Sequence, residues 1–308
     1  MNPEPQAAPA VRTGFARSGD VEIAYEDMGD PNHPAVLLIM GLGAQLLLWR
    51  KGFCDELVSR GYRVIRYDNR DVGLSTKIEG RHSGAGLLPR MARFYVGLRN
   101  QAAYTLEDMA DDAAALLDHL EVEQAHVVGG SMGGMIAQVF AARHAHRTKA
   151  LGVIFSSNNR AFLPPPGPKQ LKAITTRPAD TSRDGIIANS VRTLRLIGSP
   201  GYPTPDAKAT ADAIESYERS YYPIGVARHF AAILATGSLT AYDKAITAPT
   251  VVIHGRSDKL MRPAGGRSVA RSINRARLVL FDGMGHDLPQ ALWGAIAGEL
   301  TTTFAEAP

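Results

Sequence analysis

A mostly parallel, doubly wound α/β sheet, with helices on both faces and one helical insertion, is the fold class predicted by three features of this 308-residue sequence. Apolar runs such as AVLLIM at 35–40 and TVVI at 250–253 are continuous and do not alternate, as strands buried on both faces require. Segments with helical apolar spacing lie between those runs, so strand and helix alternate along the chain. From 157 to 245 the alternation stops. Three prolines at 164–166 interrupt it, and only amphipathic helical spacing follows. A connection of that length is an inserted helical cap and not a loop. The expected organisation is a tail at 1–14, a core formed by 15–156 and 246–308, and a cap at 157–245.

Taken in order, VEIAY at 21–25 alternates polar and apolar residues and reads as an edge strand with one wet face. AVLLIM follows as a central strand and ends in Gly41-Leu42-Gly43. A helix is expected over 48–60 with Gly61 as its left-handed cap, then a strand at 62–67 and a polar turn, DNRDVGLS, at 68–75. No element is assigned to 76–104. Thr105 with Asp108 three residues on opens a helix through Leu116 and Leu120. Strands at 125–129 and 150–155 flank a helix reaching about 144. Cap helices are expected at 185–197, 207–221 and 226–236. The core resumes with a strand at 250–255, a helix at 265–273, a strand at 277–281 and a last helix at 290–304.

With 45% hydrophobic residues the chain can bury a large core, so disorder is excluded for most of it. The net charge of +4 carries no block of like charges, so nucleic acid is not an expected partner. Basic residues gather at Arg81, His82, Arg90, Arg93 and Arg99, a solvated face whose functional alternative is an anionic surface. Cys54 is the single cysteine, which excludes an internal disulfide and a cysteine-based metal site, and its apolar neighbours mark a buried thiol. The Pro- and Ala-rich first dozen residues have no apolar h-region, so no signal peptide is read. No run is long enough to span a bilayer. The expectation is a cytoplasmic protein, with peripheral membrane contact left open and no oligomeric state assigned.

The chemistry concentrates at VVGGSMGGMIA, residues 127–137. A β-branched pair runs into glycines, one serine follows, and a helix begins. This is the G-x-S-x-G of a nucleophile elbow, with Gly129 and Gly133 flanking Ser131. A serine on so tight a turn occupies strained backbone, and side chains at the flanking positions would collide with neighbouring chain. The bland alternative is a steric strand-to-helix turn.

The elbow, the alternation and the helical insertion together resemble the α/β-hydrolase family, over nearly the whole chain apart from the cap. That resemblance implies an order of serine, acid, histidine, each just past a strand's carboxyl end. Asp258, in GRSD after the strand at 250–255, and His286, in DGMGH after the strand at 277–281, occupy those places. Rival acids are Asp282, where a strand-end turn favours an Asx residue, and Asp287, next to the base. His254 reads as a packed histidine. Backbone N–H groups of Met132 and, by motif position, Leu42 would form the oxyanion hole. Here the chain departs from the family's His-Gly-x-Gly, reading Met40-Gly41-Leu42-Gly43, so the loop loses the support of a histidine side chain. DNRDVGLS resembles the family's D-x-R-G-x-G-x-S turn, with Asp71 in a glycine position, and reads as structural.

What the resemblance implies is a serine hydrolase of carboxylic esters acting through an acyl-enzyme on a small-molecule substrate, with neither metal nor organic cofactor. The nearest branch comprises bacterial lipases and esterases, aclacinomycin methylesterase-like proteins among them, which points to lipid-like esters, thioesters or phospholipids. Phe162, Leu163, Leu196, Tyr221 and Phe230 of the cap are candidate contacts for an apolar acyl group, against the alternative that they are cap core. Cofactor-free haloperoxidase or perhydrolase, carbon–carbon bond hydrolase and proline iminopeptidase share the triad. A non-catalytic small-molecule receptor shares the fold.

Overall fold

The computed structural model describes residues 11–79, 87–98, 100–175 and 179–307. Eight strands form one sheet: β1 (Arg12–Ser18), β2 (Val21–Met28), β3 (Ala35–Ile39), β4 (Arg63–Tyr67), β5 (Ala125–Gly130), β6 (Thr148–Ile154), β7 (Thr250–Gly255) and β8 (Arg277–Phe281). Their spatial order is β1-β2-β4-β3-β5-β6-β7-β8. The β1–β2 and β2–β4 pairs are antiparallel and the rest are parallel. Every residue of β3, β4, β5 and β7 is buried; β3, β5 and β7 are mostly apolar without alternation for that reason, whereas β4 (RVIRY) buries two arginines by pairing Arg63 with Asp27 and Arg66 with Glu26.

Successive residues of a strand serve opposite layers. Leu37, Ile39, Ile65 and Val127 pack with α3 (Leu106–His119) and α4 (Met132–Arg143), whereas Val36, Leu38, Val64 and Val128 pack with α1 (Lys51–Val58) and α11 (Trp293–Phe304). The sheet is therefore doubly wound, as expected. Thr105 caps α3 by accepting the Asp108 N–H, and Asp108 returns the bond to the Thr105 N–H. Cys54 sits in the second layer, and burial pushes its thiol up to about 12, so no thiolate forms near neutral pH.

Several expectations need correction. VEIAY is not the edge: β1 lies outside it, with Arg12 opposite Asp27 and Ser18 opposite Val21. Residues 12–14, assigned to the tail by composition, belong to that strand, and Arg12 donates to Asp27 and Gly29. Residues 1–10 lie outside the described residues. The 76–104 stretch contains α2 (Leu87–Tyr95), on which Arg90 is buried and donates to the Gln101 carbonyl at 2.6 Å instead of facing solvent. Arg81, His82 and Arg99 fall outside the described residues.

Between β6 and β7 run α5 (Pro168–Thr175), α6 (Arg183–Ile197), α7 (Asp206–Arg219), α8 (Pro223–Thr236) and α9 (Thr240–Ala245), followed past β7 by α10 (Pro263–Ser272). The helices α5 and α9 are short and were not anticipated. A small apolar cluster of Ile187, Val191, Ala209 and Ala213 joins α6 to α7. In contrast, α8 sends Ala232 and Ile233 into the main core. No helix among the described residues is long and apolar enough to cross a membrane.

One buried group gives a pH-dependent stability. His126 of β5 is stacked on Phe304 at 4.2 Å with Tyr62 edge-on at 5.7 Å, and burial, with Lys149 adding, pushes its imidazole down to about 4. Unfolded, the same ring titrates near 6.5, so between those values the unfolded chain holds a proton the native chain lacks. Stability from this group is complete above about pH 6.5 and is lost as pH falls toward 4, with a slope approaching about 1.4 kcal/mol per pH unit. Urea unfolding of His126→Phe at pH 7 and pH 5 is expected to show a smaller acid loss than wild type. An identical loss would contradict this account.

Candidate active site

β3 and β5 lie side by side with Ile39 opposite Gly129, and the chain leaves them in opposite directions, to β4 and to β6. The carboxyl ends at such a switch point open a crevice. Ser131 stands there as the residue before α4, with φ 56° and ψ −123°. The glycines around it are required sterically. A Cβ on Gly129 would lie 2.1 Å from the Gly133 oxygen, and one on Gly133 would lie 2.0 Å from the Ile39 oxygen. Backbone holds the elbow: Ser131 N–H donates to Ile154 at 3.0 Å, and the Ser131 carbonyl accepts from the Ser156 hydroxyl at 2.6 Å.

The structure brings Ser131, His286 and Asp258 together. His286 Nε2 is 3.0 Å from Ser131 Oγ, and Nδ1 is 2.8 Å from Asp258 Oδ2. The other carboxylate oxygen, Oδ1, accepts the N–H groups of Leu260 and Met261 at 2.9 Å each. Burial alone would raise the Asp258 carboxyl, but the charge of His286 and hydrogen bonds from His254 and His286 outweigh it and hold the group at about 2. The histidine loop is fastened from the insertion: His286 N–H donates to Ile197 at 2.8 Å, and Gly285 N–H donates to the Ser199 hydroxyl at 2.8 Å.

Neither rival acid reaches the ring's Nδ1. Asp282 is paired with Arg256 at 2.8 Å and its side chain is 89% exposed. Asp287 accepts the Ser199 hydroxyl. His254 is fully buried, donates to the Met261 carbonyl at 2.6 Å and lies 3.4 Å from Asp258 Oδ2, so it braces the acid's loop.

Around Ser131 two sets of backbone N–H groups converge. The amides of Met132 and Gly133, the first two residues of α4, have no intrahelical acceptor, whereas Gly134 and Met135 donate to the Ser131 carbonyl. The 40–43 loop comes so close that a Cβ on Gly41 would lie 2.9 Å from Ser131 Cβ. Its carbonyl at Met40 is held by Asn69 Nδ2 at 2.8 Å, Ala44 N–H closes on Gly41, and Gly43 N–H donates to His229 Nδ1 at 3.1 Å. None of these bonds uses the Leu42 amide. Leu42 itself packs against the main core.

The DNRDVGLS turn ties the insertion to this loop. Asp68 accepts Leu46 N–H and Leu74 N–H and pairs with Arg219 of α7 at 2.7 Å. Asp71 adopts φ 67°, the left-handed region that suits the family's glycine and that aspartate tolerates. Its buried carboxylate accepts Tyr104 Oη at 2.7 Å, Arg228 of α8 at 3.0 Å and Ile78 N–H at 2.7 Å.

Of the cap candidates, Leu163, Leu196 and Phe230 are half-buried. Phe162 is 83% exposed with its ring 5.5 Å from Tyr95, and Tyr221 is 46% exposed beside Tyr217. Three neighbours were missed. Phe155 lies 4.9 Å from the His286 ring, Val226 reaches within 2.6 Å of where a Gly43 Cβ would be, and His229 holds Gly43. Phe155 is the last residue of the strand expected at 150–155 and the first past the observed end of β6, a position at the carboxyl end of a strand that could have found it. Nothing in helical spacing marks Val226 or His229. A depression of about 350 Å³ lined by His33, Arg63 and Lys149 opens at the opposite strand ends and contains none of these groups. Among the described residues no cluster of three or more His, Cys, Asp or Glu could hold a metal ion.

A family model described as the alpha/beta hydrolase fold matches residues 34–289. The chain is similar to rhodomycin D methylesterase of Streptomyces peucetius, 29% identical with 94% of this chain and 96% of that protein covered. It is also similar to a non-heme haloperoxidase of Rhodococcus erythropolis, 26% identical over 88% of this chain and 91% of that one. Among solved structures, a meta-cleavage product hydrolase from Pseudomonas fluorescens superposes with a TM-score of 0.73, covering 95% of this chain and 97% of its own at 21% identity, a likeness of fold alone.

Proposed function

The chain belongs to the α/β-hydrolase fold family, and from that premise we propose that it is a serine hydrolase cleaving carboxylic esters through an acyl-enzyme intermediate. The observation that carries the proposal is the relay from Ser131 Oγ to His286 Nε2 at 3.0 Å and from His286 Nδ1 to Asp258 at 2.8 Å. Ionised Asp258 accepts a hydrogen bond from Nδ1–H and so keeps the ring proton there, which leaves the lone pair of Nε2 facing the serine hydroxyl. Ser131 Oγ attacks the acyl carbon as its proton passes to His286, and the Met132 and Leu42 amides receive the oxyanion. His286 returns the proton to the leaving alcohol, and water repeats the sequence on the acyl-enzyme. Similarity to rhodomycin D methylesterase supports an ester as the scissile group.

Within that class an apolar acyl or alkyl group is the favoured substituent, with lipid-like esters and thioesters included. Phe230 lies one helical turn from Val226, the residue placed over Gly43, so the two share a face of α8. Phe230→Ala is expected to change the preference among acyl chain lengths more than the rate on an acetate ester, since each buried methylene contributes about 0.8 kcal/mol. An unchanged preference would place the acyl site elsewhere. Similarity to the haloperoxidase favours one second reading, in which hydrogen peroxide intercepts the acyl-enzyme. The test is a panel of p-nitrophenyl esters from acetate to palmitate, with methyl esters and acyl thioesters. Saturable turnover of at least one member is expected. Inertness toward the whole panel would overturn the proposal.

A further inference from the structure

We propose that His229 of α8 is a positioning residue for the oxyanion-binding amides, holding Gly43 so that the Leu42 N–H faces the acyl oxygen above Ser131. This rests on the ester-hydrolase reading given above. His229 is fully buried, and its two ring nitrogens have one partner each: Gly43 N–H at 3.1 Å from Nδ1 and the Arg70 carbonyl at 2.7 Å from Nε2. A carbonyl can only accept and an amide N–H can only donate, so the ring carries its proton on Nε2 and presents a lone pair at Nδ1. Only the neutral imidazole satisfies both. Burial pushes the group down to about 4, which keeps it in that form.

The ring is locked from behind. Arg70, whose carbonyl it meets, is held by Asp112 through two bonds of 2.7 Å. The Tyr104 ring stands edge-on to it at 6.3 Å, and Tyr104 is itself bonded to Asp71. Arg228, the preceding residue of α8, pairs with the same Asp71, and a Cβ on Gly225 would lie 2.2 Å from the Asp71 oxygen, so the helix is seated directly on the turn. Gly43 has φ 65°, which glycine adopts without steric cost, so sterics alone do not fix the backbone there and its N–H bond to His229 does. Met40 cannot supply that hold. The imidazole that supports this loop therefore comes from the insertion, across 186 residues of chain.

The test separates the two bonds of the ring. In His229→Asn the side-chain oxygen can occupy the place of Nδ1 and accept from Gly43, while the Arg70 bond is lost. In His229→Gln the amide nitrogen can occupy the place of Nε2 and donate to Arg70, while the acceptor for Gly43 is lost. Each is assayed on a p-nitrophenyl ester and on the matching thionoester, whose sulfur gains little from an oxyanion hole. The Gln variant is expected to lose about 100-fold in kcat, with KM within about twofold and with the ester-to-thionoester rate ratio reduced, as for removal of an oxyanion donor. The Asn variant is expected to recover at least about tenfold of that loss and to keep the wild-type ratio. Equal behaviour of the two variants, or an unchanged ratio in Gln, would overturn the proposal. Should Gln fail to fold, Asn decides alone, because loss of the ratio there contradicts a role carried by the Gly43 bond and its retention supports it. Absence of ester turnover in the wild type would overturn the hydrolase reading itself, whereas normal wild-type turnover with an unaffected Gln variant removes only the role of His229.

Discussion

Ser131→Ala is expected to lose roughly 10⁶-fold in kcat on any ester the wild type turns over, with melting temperature nearly unchanged. The substitution deletes one hydroxyl and nothing that holds the elbow. Ser131 N–H still donates to Ile154, and its carbonyl still accepts from Gly134 N–H, Met135 N–H and the Ser156 hydroxyl. The positive φ of 56° is imposed by Gly129 and Gly133 packing against backbone, and alanine bears it no worse than serine. On the proposed mechanism what remains is the binding site with its oxyanion amides, worth about 10³–10⁴ over uncatalysed hydrolysis in serine hydrolases. Steady-state rates with circular dichroism check both halves. Near wild-type turnover by the folded variant would remove the nucleophile from the account.

Asp258→Asn is expected to cost about 10⁴-fold near neutral pH, whereas Asp282→Asn and Asp287→Asn cost far less. The structure gives a specific reason for the size of the effect. Two backbone N–H groups, from Leu260 and Met261, point at the Oδ1 position, so an asparagine must place its oxygen there. Its NH₂ then occupies the Oδ2 position, 2.8 Å from His286 Nδ1, and donates to the ring. Nδ1 becomes an acceptor, the ring proton moves to Nε2, and the face toward Ser131 now donates where it must accept. The carboxyl of the wild type, held at about 2, stays ionised wherever the protein is folded and assayed, so acid inactivation above that value does not come from Asp258. Assays of the three variants at matched pH decide the point. A crippled Asp282→Asn beside an active Asp258→Asn would mean the acid is misassigned.

Much of this architecture was legible because buried parallel strands write themselves as apolar runs, and the elbow's glycines are dictated by backbone that a Cβ would meet at 2.0 and 2.1 Å. Ser131 stands out through its glycines, whereas Asp258 and His286 are named because the resemblance implies an acid and a histidine past the two later strands; the structure brings the three side chains together. Elements without such a signal were not legible. β1 pairs on one side only, and its Arg12-Thr13-Gly14 start resembles the tail before it. α2 and α5 are short amphipathic pieces flanked by polar chain, and Arg90, basic in sequence, is buried because the Gln101 carbonyl receives it. The departures from the family motifs at Met40 and Asp71 were visible, but their compensation was not. Asp71 binds Tyr104 and Arg228, and Gly43 binds His229, through contacts that join residues 43 and 71 to 228–229 and 71 to 104. No local pattern encodes a pairing over that distance.

The central claim is that Ser131 is a nucleophile activated by His286, and covalent labelling tests it most directly. Wild-type protein and Ser131→Ala would be incubated with an alkyl fluorophosphonate at neutral pH, and intact mass with peptide mapping would locate the adduct. The account predicts one phosphonyl group per wild-type chain, carried by the peptide containing Ser131, and none on the alanine variant. A wild-type chain that stays unmodified, or an adduct that persists when Ser131 is alanine, would contradict it.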